Sequence, residues 1–162
     1  MHNAATIAGM AFANAFLGMT HSMAHKVGAE FHTVHGYTCS ILLPYVIRYN
    51  GQVPTKLSVW PKYNVYKADK KYQDIAKLLG LKASTPAEGV ESLAVATEDL
   101  AKEVGLANNF EALGITESEW NSKIDDVAVL AYEDQCSPAN PRVPIVEDMK
   151  LILKKAFKGE RL

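Results

Sequence analysis

Apolar residues recur along this chain at intervals of three and four, the period of a helix that buries one face. In residues 35–50 the stripe is Leu42, Tyr45, Val46 and Tyr49, with Pro44 placed to kink it. In DKKYQDIAKLLG it is Tyr72, Ile75, Ala76 and Leu79, stopped by Gly80. Thr85, Pro86 and Glu88 then stand in capping-box order with proline at the first helical position. Behind them Val90, Leu93, Ala94, Thr97, Leu100, Ala101 and Val104 form a buried side that ends at Gly105. Thr116 and Glu119 repeat the device ahead of Trp120, Ile124, Val127, Ala128 and Ala131. The last helix is expected to start at Pro144 and to bury Ile145, Met149, Ile152, Leu153 and Ala156. Its basic residues gather toward the end, where the helix dipole favours them.

No stretch alternates as a strand does, so the pattern predicts an all-α class with mostly short loops. One longer connection is expected: residues 51–68, with Gly51, Pro54 and Pro61, read as an extended surface segment. Residues 3–20 are apolar nearly throughout. They predict a helix buried on all sides, in which Ala8, Ala11, Ala15 and Gly18 let neighbours approach closely. No Lys or Arg precedes that run and Asn14 interrupts it, which argues against a secretory signal. It is also shorter than the ~20 predominantly apolar residues of a membrane span.

The 162 residues fit one domain. With 17 Lys plus Arg against 18 Asp plus Glu the net charge is -1, so no global field draws in nucleic acid or an anionic membrane. Cys39 and Cys136 lie far apart without a CxxC, which points to reduced thiols in a cytoplasmic protein.

Chemistry concentrates in THSMAHKVGAEFHTVHG, residues 20–36, which holds His21, His25, His32 and His35 out of five histidines in all. On one helix His21 and His25 share a face, roughly 6 Å apart along the axis. Gly28 is placed to loosen or end that helix, so the chain could bring His35 back to the pair. Spacing alone nominates His21, His25 and His35 as ligands, and imidazole suits iron, zinc, copper or nickel. The competing reading is a set of histidines that cap helix ends or sit hydrogen-bonded in the core. Ser22, Met23 and Ala24 separate the pair, so the general-base Glu of an HExxH site is missing, and Glu30 is the window's only carboxylate. Neither GxGxxG nor GxxxxGK[ST] occurs, so the sequence holds no nucleotide cradle.

The run AGMAFANAFLGMTHSMAHKVGAEFHTVHG resembles the signature segment of the iron-dependent, or group III, alcohol dehydrogenases of dehydroquinate-synthase-like fold. VIRYNGQVPTKLSVWPKYNVYKADKKYQDIAKLLGL and DQCSPANPRVPIVEDMKLILKKAF are similar to the carboxy-terminal part of the bifunctional aldehyde-alcohol dehydrogenases. The resemblance spans essentially the whole sequence and implies that residues 1–162 form the family's multi-helix, metal-binding C-terminal domain. It further implies Fe2+ as the metal, with Zn2+ compatible, and interconversion of acetaldehyde and ethanol with NAD(H). Carried over by position, it makes His21 and His35 the metal ligands and places His25 as the catalytic histidine near nicotinamide and substrate, leaving His32 non-catalytic. In the family an Asp and a further His complete the metal site from an upstream helix, and an α/β domain upstream binds NAD. The 162 residues alone are therefore expected to be inactive. The alternative expectation is a non-catalytic helical assembly module that self-associates, since the bifunctional enzymes form homo-oligomers and filaments.

Overall fold

The computed structural model describes residues 1–54 and 66–162, so Pro61 and most of the predicted extended segment lie outside the described residues. The described residues form α-helices and turns, with no strand among them. The helices are α1 (His2–Ala15), α2 (Met19–Phe31), α3 (His35–Gly51), α4 (Ala68–Leu78), α5 (Pro86–Glu103), α6 (Glu117–Glu133) and α7 (Val146–Lys158). Short 3-10 turns follow at Glu111–Leu113 and Ser137–Ala139. The all-α class read from periodicity is the observed one.

α3 is the spine, and it passes unbroken through Pro44. On one side it joins α2, α6 and α7 around Met23, Leu42, Tyr45, Trp120, Ile124 and Leu153, all buried. On the other, Ile47 packs with Ala76, Val90, Leu93 and Ala94 of α4 and α5. Gly89 lets those two helices touch, because a Cβ there would come within 2.7 Å of the Gln73 Cα. Buried Arg48 cross-links α3 to α5: its Nε and Nη2 donate to the Glu91 carboxylate at 2.8 and 2.9 Å, and its Nη1 donates to Glu98 at 2.6 Å. Such a paired, forked guanidinium is the form in which an interior tolerates a charge.

The largest buried side chain, Trp120, lies among the rings of Phe31, Phe110 and Phe157, with centroids 4.8, 4.8 and 5.2 Å away. Its neighbours come from α2, from the turn before α6 and from α7, so one side chain ties three parts of the chain together. Its indole Nε1 has no hydrogen-bond partner among the described residues.

The predicted caps form where expected. Thr85 and Thr116 hydroxyls accept the N–H groups of Glu88 and Glu119 at 3.2 and 3.3 Å, and Glu88 in turn accepts from Ser84 N–H. α7 begins two residues later than Pro144 suggested, at Val146, because Ile145 is its N-cap: the Asp148 carboxylate accepts the Ile145 N–H at 3.1 Å. Ile145 is consequently exposed, whereas Met149, Ile152, Leu153 and Ala156 are buried. Ile75, Leu79, Leu100 and Val104, expected on buried stripes, are also exposed.

The larger correction concerns the N-terminus. Residues 3–20 are not one core helix: α1 stops at Ala15, Phe16 adopts a left-handed φ of 63°, and α2 starts afresh at Met19. No residue of α1 is buried, and Ile7 is 62 % and Met10 58 % exposed. Apolar composition foretold a helix that needs covering, but none of the described helices covers it.

Candidate metal centre

The first turn of α2 is held from a distance. Its N-cap, Gly18, has no side chain, and the buried Asn140 supplies the missing acceptor by taking the Met19 N–H at 3.2 Å. Asn140 also exchanges hydrogen bonds with Asn50 near the end of α3, at 3.2 and 2.7 Å, and donates to the Arg142 carbonyl at 2.7 Å. A Cβ on residue 18 would approach the Asn140 Oδ1 to 2.7 Å, so glycine is what permits this junction. His21 follows within the same turn.

α2 then runs through Gly28, which does not break it, to Phe31. The reversal falls instead on His32, whose left-handed φ of 53° caps the helix and sends the chain into α3 at His35. His32 is exposed, and its observed part is to turn the chain. The outcome is the convergence that spacing predicted: ring centroids lie 6.2 Å apart for His21 and His25, 5.4 Å for His21 and His35, and 5.5 Å for His25 and His35.

The three histidines differ in surroundings. Burial lowers the His21 pKa, and His35 and His25 lower it further, which favours the neutral ring with one unprotonated nitrogen to offer a lone pair. Beside it, one turn along α3, lies Cys39, whose Sγ is 3.4 Å from the His35 Nε2. Donor atoms of His21, His35 and Cys39 fall within 4.8 Å of one another. Burial pushes the Cys39 thiol up to about 11, which leaves it protonated. Two imidazoles at this separation fit a divalent iron or zinc ion. Cys39 was not anticipated; its signal was the i, i+4 step from His35 on one helix. His21 and Cys39 also border a cleft of about 910 Å³, lined on its apolar side by Leu43, Leu100 and Val104; His25 and His35 are not among its lining residues.

His25 has a separate partner, the carboxylate of Asp134 at the end of α6, with Nδ1 3.2 Å from Oδ2. Lys26 Nζ approaches the same oxygen to 3.0 Å, and the Cys136 N–H donates to Oδ1 at 3.0 Å. Burial alone would raise the Asp134 pKa, but the Cys136 N–H, Lys26, His25 and the Cys136 thiol outweigh it and hold it at about 2. With a folded pKa below the ordinary 3.8, the ionised group contributes about 2 kcal/mol that is present above pH ~4 and lost as pH falls toward 2. Urea midpoints of the wild type and Asp134→Asn are expected to converge as pH is lowered through that window. Asp134 lies 109 positions from His25, and no local spacing could have nominated it. Cys39 and Cys136 are both free, as their sequence separation suggested.

Residues 1–157 match the family described as Fe-containing alcohol dehydrogenase family, C-terminal. The chain is 64% identical over 159 residues to the aldehyde-alcohol dehydrogenase of Streptococcus pneumoniae, covering 98% of this chain and 18% of that protein. It is 62% identical over 157 residues to aldehyde-alcohol dehydrogenase 2 of Entamoeba histolytica, covering 97% of this chain and again 18% of the relative. The structure is similar to the iron-containing alcohol dehydrogenase of Thermococcus thioreducens, with a TM-score of 0.80 and 31% identity over 98% of this chain and 36% of that one. The chain thus spans under a fifth of the length of these curated relatives.

Proposed function

The chain belongs to the iron-containing alcohol dehydrogenase family, and on that premise we propose that it forms the helical wall of an active site interconverting acetaldehyde and ethanol with NAD(H). The observation that carries this reading is the convergence of His21, His25 and His35 from two helices, with His21 kept neutral by burial and by its fellow histidines. His21 and His35 hold the metal, Fe2+ or Zn2+, through ring nitrogens. When bound, that ion supplies Lewis acidity toward the substrate oxygen. His25, tethered to Asp134 through Nδ1, orients the substrate hydroxyl and moves its proton at Nε2.

The remaining parts are assigned to polypeptide outside these residues. The sequence offers no phosphate cradle, so an α/β domain would bind NAD and contribute the Asp and His that complete the metal site. The exposed apolar side of α1, with Ile7, Met10, Phe12 and Phe16, suits burial against that domain. A cytoplasmic setting belongs to the same reading; no helix among the described residues is long and apolar enough to cross a membrane.

In the full-length protein, His25→Gln should lower kcat by about 100- to 10,000-fold, the range of general acid–base assistance, while metal content is unchanged. An unaltered kcat would remove His25 from the reaction. The exposed α1 also favours a second reading, a non-catalytic module that self-associates. That role predicts turnover indifferent to His21, His25 and His35, so variants at these positions decide between the two.

A further inference from the structure

We infer that Asp134 is a positioning residue: its carboxylate fixes the tautomer and ring plane of His25, leaving Nε2 as the bare nitrogen that works on the substrate. The inference rests on the reading of His25 as the proton-moving group and adds the device that sets it. A carboxylate held ionised accepts hydrogen bonds and cannot donate them, so the 3.2 Å contact places the proton of a neutral His25 on Nδ1. Oδ2 serves His25 and Lys26, while Oδ1 is taken by the Cys136 N–H, so both oxygens are committed and the carboxylate is held on both sides.

Its placement is costly on two counts. Asp134 is the C-cap of α6, where the helix dipole disfavours negative charge, and its side chain is only 7 % exposed. The Cys136 N–H and thiol, Lys26 and His25 offset that cost, and two of these four donors, His25 and Lys26, come from α2. The contact therefore spans the packed α2–α6 interface and fixes the imidazole from an element other than its own helix. His25, Asp134 and Cys136 also bring donor atoms within 4.8 Å of one another. The Lys26 ammonium already bonded to Oδ2 repels a second cation, which makes this an orienting contact rather than another metal site.

A double-mutant cycle in the full-length enzyme tests the inference. Asp134→Asn should lower kcat about 10- to 100-fold, the usual cost of losing a partner that orients a site histidine, with KM for the aldehyde and bound metal within twofold of wild type. In a His25→Gln background the same substitution should lower kcat no further, because the group it positions is gone. Equal losses in both backgrounds would make Asp134 merely structural and overturn the inference. A His25→Gln enzyme with wild-type kcat would instead bring down the reading of His25, and the inference with it. A drop for His25→Gln with none for Asp134→Asn sinks the inference alone. If Asp134→Asn fails to fold, solid-state NMR of ¹⁵N-histidine-labelled wild-type enzyme, with the His25 signal assigned by its loss in His25→Gln, reads the tautomer directly. A protonated Nδ1 with bare Nε2 supports the inference, and the reverse overturns it.

Discussion

Replacing His21 or His35 with Ala in the full-length protein is expected to empty the metal site and cut kcat/KM by about 100- to 10,000-fold. The magnitude follows from the several kcal/mol a Lewis acid contributes to stabilising charge on the substrate oxygen, at 1.36 kcal/mol per tenfold in rate. The two rings come from different helices, His21 from the first turn of α2 and His35 from the start of α3, with centroids 5.4 Å apart. Losing either leaves only one imidazole on this wall to hold an ion, too few to retain it. Elemental analysis after exhaustive dialysis, beside aldehyde-dependent NADH oxidation, measures both losses. Full metal occupancy and wild-type turnover in both variants would end the assignment. Cys39→Ser is the informative companion, since it removes the soft donor beside His35 and leaves both imidazoles in place.

Trp120→Ala is expected to destabilise the fold by about 3–5 kcal/mol, against a total of about 5–15 kcal/mol for an ordinary domain. Trp120 is 1 % exposed and meets three aromatic rings, so its removal opens a cavity that three elements would have to collapse into together. Offset stacking adds about 0.5–1.5 kcal/mol per pair beyond buried area. Tyr132→Ala on the same helix, at an exposed position, should change stability by less than about 0.5 kcal/mol. Urea titrations followed by circular dichroism compare the two. A loss at Trp120 no larger than at Tyr132 would mean that the ring cluster is not what joins α2, α6 and α7.

Most of this architecture is local, and local signals are what a sequence displays. The α6 stripe, from Trp120 to Ala131, is buried residue for residue as its period implies, and Thr85 and Thr116 cap the helices they precede. Prediction failed where the answer lay in partners. Leu100 and Val104 belong to the α5 stripe but line the cleft bordered by His21 and Cys39 instead of the core. α1 has the composition of a core helix without a core around it. At the site, the histidine cluster was visible because nearly all of α2, the reversal after it and the first residues of α3 fall within residues 20–36. That the reversal turns on His32 rather than Gly28 depended on a left-handed backbone angle at a non-glycine residue, which spacing does not encode. Asp134 and Asn140, which brace His25 and the first turn of α2, arrive from more than a hundred positions away.

The aromatic cluster also gives the molecule an intrinsic optical probe. Trp120 and Trp60 are its two tryptophans, so Trp60→Phe leaves a single emitter. That emitter is sealed from solvent, has no hydrogen bond to its indole among the described residues, and stacks on Phe31, the last residue of the helix bearing His21 and His25. Its emission should be blue-shifted, and its intensity should report any displacement of α2 against α6.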